Sequence, residues 1–122
     1  MSIIFLADDD VTVQNVLGGA LIKEGYDVHV FGDGQKAMDS LSDIKPDLVI
    51  TDILMPNKDG FELIIRVKEV YPSCKTIAIS KSGPESDMDL LEASEIAYKV
   101  DATFSKPMVR DEVIKKVKEL LG

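Results

Sequence analysis

Apolar runs at Ile3 to Ala7, Leu48 to Ile50 and Thr76 to Ile79 are short and show little alternation. They predict strands buried on both faces of a sheet. Asp27 to Phe31 does alternate, with Val28 and Val30 on one side and His29 and Phe31 on the other. A period of two there predicts a half-exposed edge strand. Ala102 to Ser105 is brief and mixed in polarity, which predicts a second edge strand, broken by Lys106-Pro107.

Helical spacing fills the intervals. From Val11 to Glu24, Val13, Leu17 and Leu21 share a face that Val16 and Ala20 extend. Asp10 is the expected N-cap, worth roughly 1 kcal/mol. Gly18-Gly19 weakens that helix and Gly25 ends it. Gly32-Asp33-Gly34 turns the chain into a short helix through Ala37, Met38 and Leu41. A third helix is expected from Phe61 to Val70, capped by Asp59-Gly60 and stopped ahead of Pro72. After a polar loop from Ser80 to Ser86, a fourth runs through Met88, Leu91 and Ile96. The last, Val109 to Leu121, aligns Val109, Val113, Val117 and Leu121. Asp111 and Glu112 in its first turn and Lys115, Lys116 and Lys118 later suit the helix dipole.

Five strands alternating with five helices predict an α/β, doubly wound, three-layer sandwich of flavodoxin-like (βα)5 type. Strands two and five lack an unbroken apolar run and belong at the edges. A parallel sheet of order 2-1-3-4-5 satisfies this. It makes strands one and three neighbours at the topological switch point, where such sheets bind ligands beyond the carboxyl ends of their strands.

Composition narrows the function classes. The 122 residues suffice for one domain, expected to span 1–122. A net charge of −8 argues against direct nucleic-acid binding and against an anionic membrane surface. A cationic ligand or a basic partner fits better. Cys74 is the only cysteine, so no disulfide framework or thiolate zinc site is expected, and a cytoplasmic setting is. Met1-Ser2 enters a strand with no basic leader, and no apolar run approaches the length of a membrane span.

The candidate chemistry lies where the strands end. Strand one ends in Asp8-Asp9, strand three in Asp52, strand four in Ser80 and strand five in Lys106. Each has an ordinary reading alone: Asp52 as a turn residue, the Asp8 to Asp10 run as helix-capping acids, Ser80 as a loop hydroxyl, Lys106 as a surface lysine. Together at one sheet edge they are far more specific. Neighbouring strands lie about 4.8 Å apart, so Asp8, Asp9 and Asp52 can share one ligand. Two such charges about 4 Å apart repel by roughly 4 kcal/mol at an effective dielectric near 20. Three need a cation, and few carboxylates in a site open to water and phosphate suit Mg²⁺ best.

Four segments carry a family resemblance: Phe-Leu-Ala-Asp-Asp-Asp at 5–10, Pro-Asp-Leu-Val-Ile-Thr-Asp-Ile-Leu-Met-Pro-Asn-Lys-Asp-Gly at 46–60, Thr-Ile-Ala-Ile-Ser at 76–80 and Ser-Lys-Pro at 105–107. In this combination the sequence resembles the receiver domain of two-component response regulators over essentially the whole chain. The resemblance implies that Asp52 accepts a phosphoryl group from a histidine kinase or phosphotransfer protein. It implies Mg²⁺ held by Asp9 and Asp52 directly, by Asp8 through water and by the backbone carbonyl of Leu54. Ser80 and Lys106 would contact the phosphoryl oxygens. A downstream protein would read the change on the surface of the fourth helix, fifth strand and fifth helix.

Two positions depart from the family. Its usual aromatic residue three before the strand-five lysine is replaced by Thr103, and the neighbouring Phe104 should face the other way. Lys81 follows Ser80 where a small residue is usual. The chain ends about one helix after Lys106, so no output domain is expected within it. Competing readings are a pseudo-receiver that docks proteins without phosphorylation, a flavin carrier and an aspartyl phosphatase. The three aspartates after strand one would repel a flavin phosphate, and Leu54 stands where the phosphatase needs a second acid. His29, the only histidine, lies on an edge strand, so a relay through it is not expected.

Overall fold

The computed structural model describes residues 1–53, 60–81 and 99–122. Five parallel strands, β1 (Ile3–Ala7), β2 (Asp27–Phe31), β3 (Leu48–Asp52), β4 (Lys75–Lys81) and β5 (Ala102–Lys106), pair in the order β2-β1-β3-β4-β5. Four helices are described: α1 (Val11–Lys23), α2 (Gly34–Ser40), α3 (Gly60–Val70) and α4 (Arg110–Leu121). The doubly wound topology and both edge strands are as the apolar pattern predicts. The helix expected through Met88, Leu91 and Ile96 lies outside the described residues, as does Asp59 of the expected third-helix cap.

Strand alternation builds two cores. Ile4, Leu6, Leu48, Ile50, Ile77 and Ile79 face the layer of α1 and α4, meeting Leu17, Leu21, Val113 and Val117. Phe5, Ala7 and Val49 face the opposite layer and meet Ala37, Leu63 and Val67. Capping agrees with the sequence where a side chain can reach. Asp10 Oδ1 accepts from the Thr12 N–H at 2.9 Å, and Asp33 Oδ1 from the Lys36 N–H at 2.8 Å. Each satisfies a donor that the first helical turn leaves open.

Four expectations shift. Ser80 and Lys81 belong to β4, paired with Ser105 and Lys106, rather than opening a loop. Strand pairing continues past the last apolar residue because the β5 ladder does. Val16 is 50% exposed and so lies off the core face of α1. Val109 is 55% exposed and caps α4 without a side-chain hydrogen bond, so the packed stripe of that helix starts at Val113. Leu41 lies one residue past the end of α2, as its C-cap, although its side chain is buried.

Gly60 opens α3 and fixes how the helix meets β3. Its N–H donates to the Ile53 carbonyl at 2.7 Å. A Cβ at Gly60 would collide with the Asp52 carbonyl oxygen and stand 2.8 Å from the Ile53 Cα. Gly19, by contrast, has nothing among the described residues within 4 Å of the corresponding position. Gly60→Ala is therefore expected to destabilise by about 1–3 kcal/mol through overpacking. Gly19→Ala should stabilise by about 0.5–1 kcal/mol through helix propensity. Urea midpoints of the two variants should move in opposite directions.

Candidate functional site

Parallel register carries the acids to one place. The β1–β3 pairs run from Ile4↔Leu48 to Ala7↔Thr51, so Asp8 and Asp52 come next on adjoining strands. Oxygens of Asp8, Asp9 and Asp52 lie within 4.8 Å of one another. Asp8 and Asp52 are buried, while Asp9 is exposed at the rim. Lys106, at the end of β5, reaches across β4: its Nζ lies 2.9 Å from Asp52 Oδ2 and 3.2 Å from Asp8 Oδ2. Ser80 is buried at the end of β4. The structure thus brings Asp8, Asp9, Asp52 and Lys106 together, with Ser80 one residue beyond the Ile79 that pairs with Asp52. The Leu54 carbonyl lies outside the described residues.

Two buried oxygens lack a hydrogen-bond partner among the described residues. Asp8 Oδ2 has the Lys106 ammonium near it but no aligned hydrogen bond, and Ser80 Oγ has neither donor nor acceptor beside it there. A buried polar atom left this way is costly unless something binds it. Clustered hard oxygens suit a small divalent cation such as Mg²⁺ or Ca²⁺, and a hydroxyl can donate to an anion beside it. The residues present fit a metal and an oxyanion side by side.

Charge balance follows from burial. Desolvation raises the Asp8 pKa; the Asp10 N–H that Oδ1 accepts at 2.9 Å opposes this, and the Asp52 charge adds to it. Lys106 offsets part of the rise. Burial also pulls the Lys106 ammonium down, but its hydrogen bond to Asp52 and the charges of Asp52 and Asp8 outweigh that and raise it. The lysine is therefore held cationic, one positive charge among three acids.

On β5, Thr103 is exposed while Phe104 is partly buried against the cluster containing Ile79 and Val113. Phe104 does face away from Thr103, as the period of two requires. Two contributors escape sequence reasoning. Gln14 Nε2 donates to the Asp8 carbonyl at 2.7 Å, and Gly60 presses on the Asp52 backbone. A glutamine on a helix reads as solvated, and a glycine after Asp59 reads as a cap. Only the fold shows what each approaches.

The electrostatics predict a stability effect. Asp8→Asn keeps the acceptor for the Asp10 N–H and leaves Lys106 paired with Asp52, so removing the charge should stabilise the metal-free protein at pH 7 by about 1 kcal/mol. Because the folded-state pKa of Asp8 lies above its unfolded value, the folded protein holds that proton more tightly. The destabilisation by ionised Asp8 is absent below the unfolded pKa and complete once pH has risen through the folded one. The advantage of Asp8→Asn should therefore shrink on acidification from neutral pH. Urea unfolding in chelator across that range checks it; a less stable variant at pH 7 refutes the repulsion account.

Residues 4–118 match the response regulator receiver domain family. The transcriptional regulatory protein TrcR of Mycobacterium tuberculosis is 30% identical over 118 residues, covering 97% of this chain; the chain spans 44% of that relative's length. The response regulator TrrA of Thermotoga maritima, solved in complex with Mg²⁺-BeF, superposes with a TM-score of 0.83 at 26% identity, covering 99% of this chain and 100% of the other. The chemotaxis response regulator CheY4 of Vibrio cholerae shares the fold at a TM-score of 0.82 and 21% identity, with 99% of each chain covered. Fold, converging acids and family match agree: this chain belongs to the response regulator receiver family.

Proposed function

We propose that the chain, as one receiver domain over residues 1–122, takes a phosphoryl group on Asp52 from a histidine kinase or phosphotransfer protein, and that the added charge switches its protein contacts. The observation that carries this is the grouping of three acids within 4.8 Å, with the Lys106 ammonium 2.9 Å from an Asp52 oxygen. In the transfer, an Asp52 oxygen forms a P–O bond as the P–N bond of the donor phosphohistidine breaks. The electron pair stays on the imidazole nitrogen, which leaves. Phosphoryl transfer asks mainly for positioning and charge stabilisation. Lys106 supplies a fixed cation for the phosphoryl oxygens, and Ser80 Oγ a donor. Asp8, Asp9, Asp52 and the Leu54 carbonyl would hold Mg²⁺, which neutralises developing charge when bound. The Mg²⁺-BeF complex of the related TrrA supports this assignment.

The chain would catalyse only its own phosphorylation and dephosphorylation. Its downstream partner would be a protein reading β5, α4 and the segment before β5, in the cytoplasm. No helix among the described residues is long and apolar enough to cross a membrane.

Incubation with acetyl phosphate and Mg²⁺ should add the mass of one phosphoryl group, with acetate leaving. Chelator or Asp52→Asn should abolish the gain, read by intact mass. A wild type that stays unlabelled by acetyl phosphate and by phosphohistidine donors would instead favour the docking module. Lys81 directly follows Ser80, and its backbone pairs in register with Lys106; a long cationic side chain at this position would screen or bind the phosphoryl group. Lys81→Ala should change the phosphoryl half-life several-fold; an unchanged decay rate removes that role.

A further inference from the structure

Asp9 differs from its two companions. It is exposed at the rim, while Asp8 and Asp52 are buried and packed in place. What can orient Asp9 is its own backbone, and the peptide that leads into it is the one between Asp8 and Asp9. Asp8 is tied through the peptides on both sides of it, by its N–H in the Ala7–Asp8 peptide and by its carbonyl in the Asp8–Asp9 peptide. The Asp8 N–H donates to the Phe31 carbonyl at 3.0 Å, continuing the β1–β2 ladder one step past the strands. The Asp8 carbonyl accepts from Gln14 Nε2 at 2.7 Å. A carbonyl can be met only by the NH₂ end of an amide, so the chemistry fixes which way Gln14 points.

Gln14 is well placed for this. It stands one turn into α1, where its own N–H donates to the Asp10 carbonyl at 3.0 Å. The Asp10 N–H in turn donates to Asp8 Oδ1 at 2.9 Å. A Cβ on Gly32 would stand 3.9 Å from Gln14 Nε2, so the amide also borders the turn that follows β2. The first turn of α1, the end of β1 and the start of the β2 turn therefore meet at one side chain. Without it the Ala7–Asp8 peptide keeps its ladder bond, but the Asp8–Asp9 peptide loses the restraint on its carbonyl, and Asp9 turns with that peptide.

We propose that Gln14 is a positioning residue for the acidic site: its amide sets the plane of the Asp8–Asp9 peptide and so aims the Asp9 carboxylate at the divalent ion. The proposal rests on the metal-binding reading above and goes beyond it by naming a residue that touches neither ion nor phosphoryl group. Groups that orient metal ligands typically change affinity ten- to a hundred-fold when removed.

The test uses the full chain and Mg²⁺ alone. In Gln14→Leu, which keeps a similar bulk and loses the donor, the Mg²⁺ dissociation constant by calorimetry should rise by roughly tenfold or more. The Asp9 backbone amide resonance of the metal-free protein should move as well. Gln14→Lys, which restores a donor of similar reach, should recover affinity. Should Gln14→Leu fail to fold, judged by its urea midpoint without metal, Gln14→Met is measured in its place, with the same loss of affinity expected. Wild-type affinity in the apolar variants, or Gln14→Lys as weak as Gln14→Leu, overturns the role of Gln14 alone. A wild type that binds no Mg²⁺ overturns the metal reading and this inference together.

Discussion

Like charges kept together govern this molecule. Each pair of carboxylates about 4 Å apart repels by roughly 4 kcal/mol at an effective dielectric near 20, and one lysine cannot cancel three acids. The sheet must therefore hold Asp8 and Asp52 side by side against their own field. It does so with residues that have no charge to spare. Ile4, Phe5, Leu6 and Ala7 on one strand and Leu48, Val49 and Ile50 on the next are all fully buried. A one-residue slip of β3 would exchange its two faces and expose one core to the wrong layer. Apolar burial thus sets the register, and the register sets the site.

The same logic explains how much could be read in advance. Continuous apolar runs announce strands buried on both faces, and the mixed strands announce the edges, so polarity places strands two and five outermost, and the observed 2-1-3-4-5 order is one that satisfies it. The convergence of Asp8, Asp9, Asp52 and Lys106 followed from that order, because all four end or follow strands at one edge. Less legible was anything decided by close approach. The contact of Gly60 with the Asp52 backbone depends on how α3 leaves β3, and the reach of Gln14 to the Asp8 carbonyl depends on where α1 sits over β1. Val16 and Val109 are apolar by sequence but lie toward the rim, not in the core, Val16 lining a groove that Lys106 and Arg110 also line. Ser80 and Lys81 looked like loop because polarity hides strand pairing at the end of a sheet.

The ladder between β4 and β5 decides how a charge arriving at Asp52 could be felt elsewhere. Ser80 pairs with Ser105 and Lys81 with Lys106, so the buried hydroxyl and the cation sit on one continuous set of hydrogen bonds. An aromatic ring at 103 could swing between solvent and interior as a separate part. Thr103 offers only a small, exposed side chain, and Phe104 is packed inward against the cluster of Ile79 and Val113. Rotating Phe104 out would remove a partly buried ring from that cluster, at a cost of up to the roughly 1.5–3 kcal/mol that full burial of such a side chain contributes. Under the proposed chemistry, a phosphoryl group drawing Lys106 and Ser80 toward itself therefore acts on backbone that is already coupled. The cheaper response is a concerted shift of the β4 and β5 ends, carrying α4 through Val113, rather than the rotation of a single ring.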